Sequence, residues 1–197
     1  ILIPAYKNVR FKLRVERVDI EAPGIISIYV RGRNLSKLKA EGGQFFNWRF
    51  LDSHRWYESH PFSLSAAPTD EQMRFTVKDL GDHSRSLVSV RPGTLVFIEG
   101  PYGTFTKHQA HKSRPLVLIG GGVGITPIRA LLEELPRNRE ITVIYRASTE
   151  QDLIFLDELK ELAQRKNAKL EVLPGSRKLH PLDAEHLRAM VPNIGQA

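Results

Sequence analysis

Hydrophobic positions follow two different patterns along this chain. Up to about Thr106 they alternate with polar ones. Phe11, Leu13 and Val15 alternate with Lys12, Arg14 and Glu16, and Ile26, Ile28 and Val30 repeat the pattern after a Pro23–Gly24 turn. Gly42 and Gly43 lead into QFFNWRFL, where Phe46, Trp48 and Phe50 share one face; HPFSLS follows at 60–65. Met73, Phe75 and Val77 then share a face in MRFTVK, and TLVFIEG supplies a further run. Short period-two runs of this kind predict strands with one buried face. With a short helical insert near Ser84–Val90, they predict an antiparallel six-stranded barrel.

From Pro115 the pattern becomes strand–helix–strand. PLVLIG is followed by IRALLEEL, ITVIY, DLIFLDELKELAQR, AKLEVLP and DAEHLRAMV. That alternation predicts a parallel, doubly wound sheet, with PLVLI as a buried strand. The polar, basic segment KHQAHKSR separates the two patterns. The expected organisation is therefore a barrel domain over residues 1–106, a linker over 107–114 and an α/β domain over 115–197.

Composition narrows the chemistry. A hydrophobic fraction of 41% and a charged fraction of 26% are those of a globular chain. No apolar run approaches the roughly 18 residues of a membrane span. The absence of cysteine excludes disulfides, cysteine-held iron–sulfur clusters and thiol chemistry within these 197 residues. A net charge of +7 attracts anionic partners. No helix-turn-helix, zinc-finger or ribonucleoprotein signature accompanies that charge, so no nucleic-acid partner is expected. His108 and His111 stand in a charged linker and read as solvated residues, so no metal site is expected.

The most informative stretch is PLVLIGGGVGITP, residues 115–127. An apolar strand runs into Gly120, Gly121, Gly122, Val123 and Gly124, then into a helix opened by Ile125, Thr126 and Pro127. Thr126 is a natural N-cap, and Pro127 suits the first helical turn. Glycine turn and helix N-terminus together aim backbone N–H groups and the positive end of the helix dipole at one place, which favours a phosphate. The strict G-x-G-x-x-G spacing is not met, because Ile125 stands where the last glycine would be. A turn that merely packs helix on strand is the plainer alternative.

GGGVGITP resembles the pyridine-nucleotide motif of the ferredoxin–NADP reductase superfamily, and the upstream chain resembles that family's flavin motifs in the same order. HPFSLS is similar to its R-x-Y-S/T signature, in the variant of ferric reductases and NADPH oxidases. The resemblance implies that His60, Pro61, Phe62 and Ser63 meet FAD. Phe62 can offer the isoalloxazine ring an apolar face, and Ser63 a hydroxyl near N5. Where the commoner signature has arginine, His60 is a weaker anion partner. The pyrophosphate is therefore expected on VKDLGDHS: Val77, Lys78, Gly81, His83 and Ser84, with Arg85 adding charge. Gly100–Gly103, GPYG, is similar to the turn that closes the family's barrel, with Tyr102 near the flavin as a minor expectation.

On the nucleotide side, Arg146 ends the second parallel strand, where ligand crevices of such sheets open. Ser176 and Arg177 follow the third and resemble the pair that holds a 2′-phosphate in NADPH-specific relatives. No acidic residue stands beside them, which favours NADPH over NADH. Ser63 and Thr126 are the residues expected nearest the hydride transfer. The resemblance implies an FAD-dependent NAD(P)H oxidoreductase. Its acceptor would be a haem of a membrane domain preceding this region, placing the chain at the cytoplasmic face; a soluble oxygenase or iron–sulfur partner is the alternative. Three parallel strands against the family's five also suggest an α/β domain truncated before its last strands.

Overall fold

The computed structural model describes residues 2–53, 55–79, 81–111, 114–176 and 178–196. A helix, α1 (Leu2–Phe11), precedes six strands: β1 (Arg14–Ala22), β2 (Ile25–Arg31), β3 (Phe45–Leu51), β4 (His60–Ser63), β5 (Gln72–Lys78) and β6 (Leu95–Tyr102). A short helix, α2 (Asp82–Ser86), lies between β5 and β6 and continues as a 3₁₀ turn. The strands form one antiparallel sheet in the order β4-β3-β6-β1-β2-β5. Its two ends meet where Leu64 bridges Phe75, and the Ser65 N–H donates to the Arg74 carbonyl at 2.8 Å. The expected antiparallel barrel is thus present.

Phe46, Trp48 and Phe50 line the barrel interior, each at most 2% exposed, and Trp48 stacks on Phe75 with ring centroids 4.3 Å apart. One expectation shifts at the start. Phe11 belongs to α1 rather than to a strand, and Lys12 turns the chain with φ 52° before β1 begins. Phe11 and Leu13 are both buried, so the alternation marks two core positions, one at the end of α1 and one in the turn before β1.

The second layer holds β7 (Leu116–Gly121), β8 (Ile141–Ala147) and β9 (Lys169–Pro174), parallel and in that order, with helices α3 (Ile125–Glu134), α4 (Leu156–Lys166) and α5 (Ala184–Met190). Three details differ from the pattern reading. Ile119 is 46% exposed, because it stands on the face of β7 opposite the Leu118–Gly120 face on which α3 packs. The run DLIF is not helical: Glu150–Asp152 form a 3₁₀ turn and Phe155 takes φ 58°, which buries Ile154 and Phe155 before α4 starts. Helix α3 begins at Ile125 with Gly124 as its cap, so Thr126 sits inside the first turn and does not cap it.

Barrel and nucleotide lobe interlock. Ala130 of α3 packs in the barrel core, and Ile25 of β2 packs in the core of the α/β lobe. Arg74 and Thr76 occupy the outward face of β5, yet each is only 5% exposed.

Candidate functional site

The glycine turn divides its residues by job. A Cβ on Gly120 would lie 3.0 Å from the Cδ1 atoms of Ile125 and Ile128, so Gly120 lets α3 pack close on β7. A Cβ on Gly121, Gly122 or Gly124 would meet nothing within 4 Å. Gly122 also takes φ 53°, a conformation glycine adopts without strain. Val123 borders the same open space, while Ile125 and Thr126 are buried at 0% and 4% and Pro127 is half-buried in the first turn.

That open space is a cleft of about 510 Å³. Gly121, Gly122 and Val123 form one wall, Arg146 and Ala147 at the end of β8 another, and Gly175 and Ser176 after β9 a third. Ile25 and Lys78 close it from the barrel. Backbone amides and two cations from separate domains therefore converge on one concavity, an arrangement suited to a nucleotide pyrophosphate. One Arg146 guanidinium nitrogen, Nη2, is buried without a hydrogen-bond partner. Gly121 and Gly122 leave a cradle that a Cβ would fill, and Arg146 and Lys78 line the same cleft, so the residues present fit the nucleotide.

The structure adds a residue that the pattern reading left out. Asp152 also lines this cleft, from the turn after β8. The expectation that no acid stands near the ribose end thus holds only for the 174–178 segment. Its Oδ2 accepts a hydrogen bond from the Thr149 hydroxyl at 2.8 Å. Ser176 is exposed on the cleft, its Oγ accepting from the Leu179 N–H at 3.3 Å. Arg177 lies outside the described residues.

The flavin motif lies on β4 and the segment after β5. His60 is 3.3 Å from Glu58 through Nε2. Phe62 is half-buried, its ring parallel to that of Phe75 (5.3 Å between centroids, 3° between planes), and its carbonyl accepts from the Trp48 indole N–H at 3.1 Å. Pro61 is exposed and Ser63 half-buried, pairing with Phe45. Val77 buries its side chain in the barrel, leaving its backbone to the motif. Gly81 has open space where a Cβ would be and φ 156°. Its N–H reaches Asp79 at 3.2 Å, and the Ser84 hydroxyl donates to its carbonyl at 2.9 Å. Arg85 is held by Asp79 at 2.9 Å, and that hydrogen bond keeps the Asp79 carboxyl below the usual carboxylate range. Gly81 opens α2, so the fit to a pyrophosphate rests on this open turn and on Lys78. The His83 side chain lies outside the described residues. Tyr102 is 43% exposed and tilted against Phe45, ring centroids 5.6 Å apart.

In the linker, His108 is not alone: Nε2 lies 2.8 Å from Glu41, and Lys107 pairs with Glu134 at 3.2 Å. Among the described residues no group of three or more His, Cys, Asp or Glu side chains is arranged to hold a metal ion.

Comparison with known proteins matches this geometry. Residues 10–106 match the family model described as an FAD-binding domain, and residues 118–186 that of the oxidoreductase NAD-binding domain. The reductase component of propane 2-monooxygenase from Rhodococcus jostii (strain RHA1) is 30% identical over 162 residues, 78% of this chain and 42% of that protein. The toluate 1,2-dioxygenase electron transfer component of Pseudomonas putida is 28% identical over 161 residues, 79% and 46% of the two chains. The chain thus spans less than half the length of these relatives. In fold it is similar to the flavohem-like FAD/NAD binding domain of nitric oxide dioxygenase from Vibrio cholerae O1 biovar El Tor. That likeness has a TM-score of 0.71 at 22% identity and covers 92% of this chain and 91% of the other. The ferredoxin–NADP⁺ reductase of Plasmodium falciparum shares the fold at a TM-score of 0.66 and 15% identity, covering 82% and 68%. An FAD-binding barrel followed by an NAD-binding parallel lobe, with a cleft at their junction, leads to one conclusion: the chain carries an FAD-binding domain and an oxidoreductase NAD-binding domain, assembled in the fold of the ferredoxin–NADP reductases.

Proposed function

We propose that this chain is the reductase module of an electron-transfer system, taking electrons from a nicotinamide nucleotide and passing them, through FAD, to an iron–sulfur or oxygenase partner. The observation that carries it is the cleft shared by Gly121, Gly122, Arg146 and Lys78, which joins a nucleotide lobe to a flavin barrel. In this reading residues 1–106 form the flavin unit and 115–197 the nucleotide unit, joined by 107–114.

FAD, when bound, supplies the step from two-electron to one-electron chemistry. The protein holds and orients. Phe62 and Ser63 face the flavin ring from β4; Lys78, Gly81 and Ser84 neutralise and approach its pyrophosphate. Gly121, Gly122 and Gly124 let the nucleotide phosphates approach the backbone, and Arg146 binds them. Thr126 stands at the helix start nearest the nicotinamide end. Ser176 and Arg177 favour a 2′-phosphate and hence NADPH.

The named relatives are reductase or electron-transfer components of oxygenases. They favour this acceptor over a haem in a membrane domain. The test is to load the purified chain with FAD and mix it anaerobically with NADPH or NADH. Bleaching of the flavin absorbance is expected with either, with a higher kcat/KM for NADPH. Bleaching by neither would overturn the functional reading, and equal kcat/KM would overturn the nucleotide preference.

A further inference from the structure

The two domains are joined by an ion triad of two buried arginines and a partly exposed glutamate, which lies outside the ligand cleft. Glu158 of α4 accepts from two nitrogens of Arg74 of β5, at 2.9 and 3.0 Å, and from Nε of Arg129 of α3 at 2.6 Å. Both arginines also converge on the carbonyl oxygen of Ser65, Arg74 at 2.9 Å and Arg129 at 3.2 Å. Arg129 donates further to Glu133 at 2.8 Å, and Glu133 in turn accepts the Ala67 N–H at 2.9 Å. Arg74 lies over the Phe155 ring, 4.4 Å from its centroid, and its Nη1 reaches the Tyr29 hydroxyl at 3.3 Å. Arg74 is 5% and Arg129 7% exposed.

Such a network is a poor device for stability alone. Desolvation of the two buried guanidinium groups offsets much of the attraction, and apolar residues of similar volume usually stabilise as well or better. What apolar residues do not supply is direction: bidentate guanidinium–carboxylate bonds fix distance and angle together. Its position matters more than its energy. Ser65 is two residues beyond Ser63 on the flavin segment, and Arg129 is three residues beyond Thr126, one turn along α3. The triad therefore clamps the segment that carries the flavin contacts to the helix that follows the nucleotide turn. A second contact backs it. The Gly42 N–H donates to Glu134 of α3 at 3.0 Å, and Gly42 lies directly against the Ala130 carbonyl.

We propose that Arg74, Glu158 and Arg129 are positioning residues that set the angle at which the nucleotide lobe presents its ligand to the flavin barrel; this rests on the reductase reading above. Transfer between two bound cofactors depends steeply on their separation, so a lobe free to rock loses rate before it loses affinity.

The test replaces the whole triad, Arg74→Met with Arg129→Met and Glu158→Leu, because removing Glu158 alone would strand two buried cations. The chain has no cysteine, so Lys37→Cys on the barrel and Arg165→Cys on α4, both exposed, give one pair of spin labels. Pulsed EPR should find a narrow distance distribution in the parent and a broad one in the apolar variant, with equal or higher Tm. Stopped-flow reduction at saturating nucleotide should slow about ten- to a hundredfold, while the Kd values for FAD and nucleotide stay unchanged. A distribution as narrow as the parent's would overturn the proposal. So would a broadened distribution with an unchanged reduction rate, or a rate loss matched by an equal loss of affinity. A parent that is never reduced by either nucleotide would sink the reductase reading instead, and the label distribution reports on the clamp regardless.

Discussion

Replacing Gly121 with alanine should leave the fold intact and weaken nucleotide binding, while the same change at Gly120 should do the reverse. Gly121 has φ −119° and ψ 123°, extended backbone open to any residue, and a Cβ there meets nothing within 4 Å. Alanine at Gly121 should therefore leave Tm unchanged or raise it slightly, since glycine in a strand is about 0.5–1 kcal/mol less favourable than alanine. The added methyl group projects into the cleft and holds a phosphate away from the backbone. Losing one hydrogen bond to a charged group is worth about 1.5–3 kcal/mol, or roughly ten- to a hundredfold in Kd. At Gly120 the methyl would lie 3.0 Å from two isoleucine Cδ1 atoms and 3.1 Å from the Ile125 Cα. The side-chain ends can rotate, but the Cα can move only with α3, so destabilisation of about 1–3 kcal/mol is expected. Thermal melts and calorimetric titration of NADPH into both variants separate the two effects. If Gly121→Ala bound NADPH as tightly as the parent, the placement of the phosphates against this turn would be wrong. An unchanged melt for Gly120→Ala would refute the packing argument.

Three further outcomes are expected. Burial alone would raise the Glu158 carboxyl, but hydrogen bonds and charge from Arg74 and Arg129 outweigh it and hold the group below its usual range. A folded-state value below the unfolded one adds stability that is present above the unfolded pKa of about 4.5 and is lost as pH falls through the folded one. Tm measured from about pH 6 downward should therefore fall more steeply in the parent than in Glu158→Gln, and parallel curves would contradict the pairing. Gly42→Ala should destabilise by about 1–3 kcal/mol or more, because its Cβ would run into the Ala130 carbonyl and come within 2.8 Å of the Leu131 nitrogen; an unchanged denaturant midpoint would refute this. Arg146→Met should raise the nucleotide Kd roughly tenfold or more with FAD affinity unaffected, and an equal loss of both would make Arg146 a structural residue.

The two halves of the fold and the order of their motifs were determined by the sequence itself. Period-two alternation and the strand–glycine–helix passage are local, so Phe46, Trp48 and Phe50 announce a buried face, and Gly120 to Pro127 a turn, without reference to distant chain. Asp183 likewise caps α5 from within its own segment, accepting the His186 N–H at 3.0 Å. Only the tertiary structure decided what covers each surface. Arg74 and Thr76 look solvent-facing in MRFTVK, and are buried because the nucleotide lobe lies over β5. Ile119 looks buried in PLVLI, and is exposed because it stands on the face of β7 opposite α3. Lys78 from the barrel and Arg146 from β8 line one cleft, and Asp152 joins it from the turn after β8. Glu158 reads as one more polar position on a helix, and becomes the centre of a triad only when β5 and α3 arrive beside it. Local pattern fixes which face of an element is apolar; the burial of a charge depends on which non-contiguous element supplies its partner, and that is set by how the domains pack.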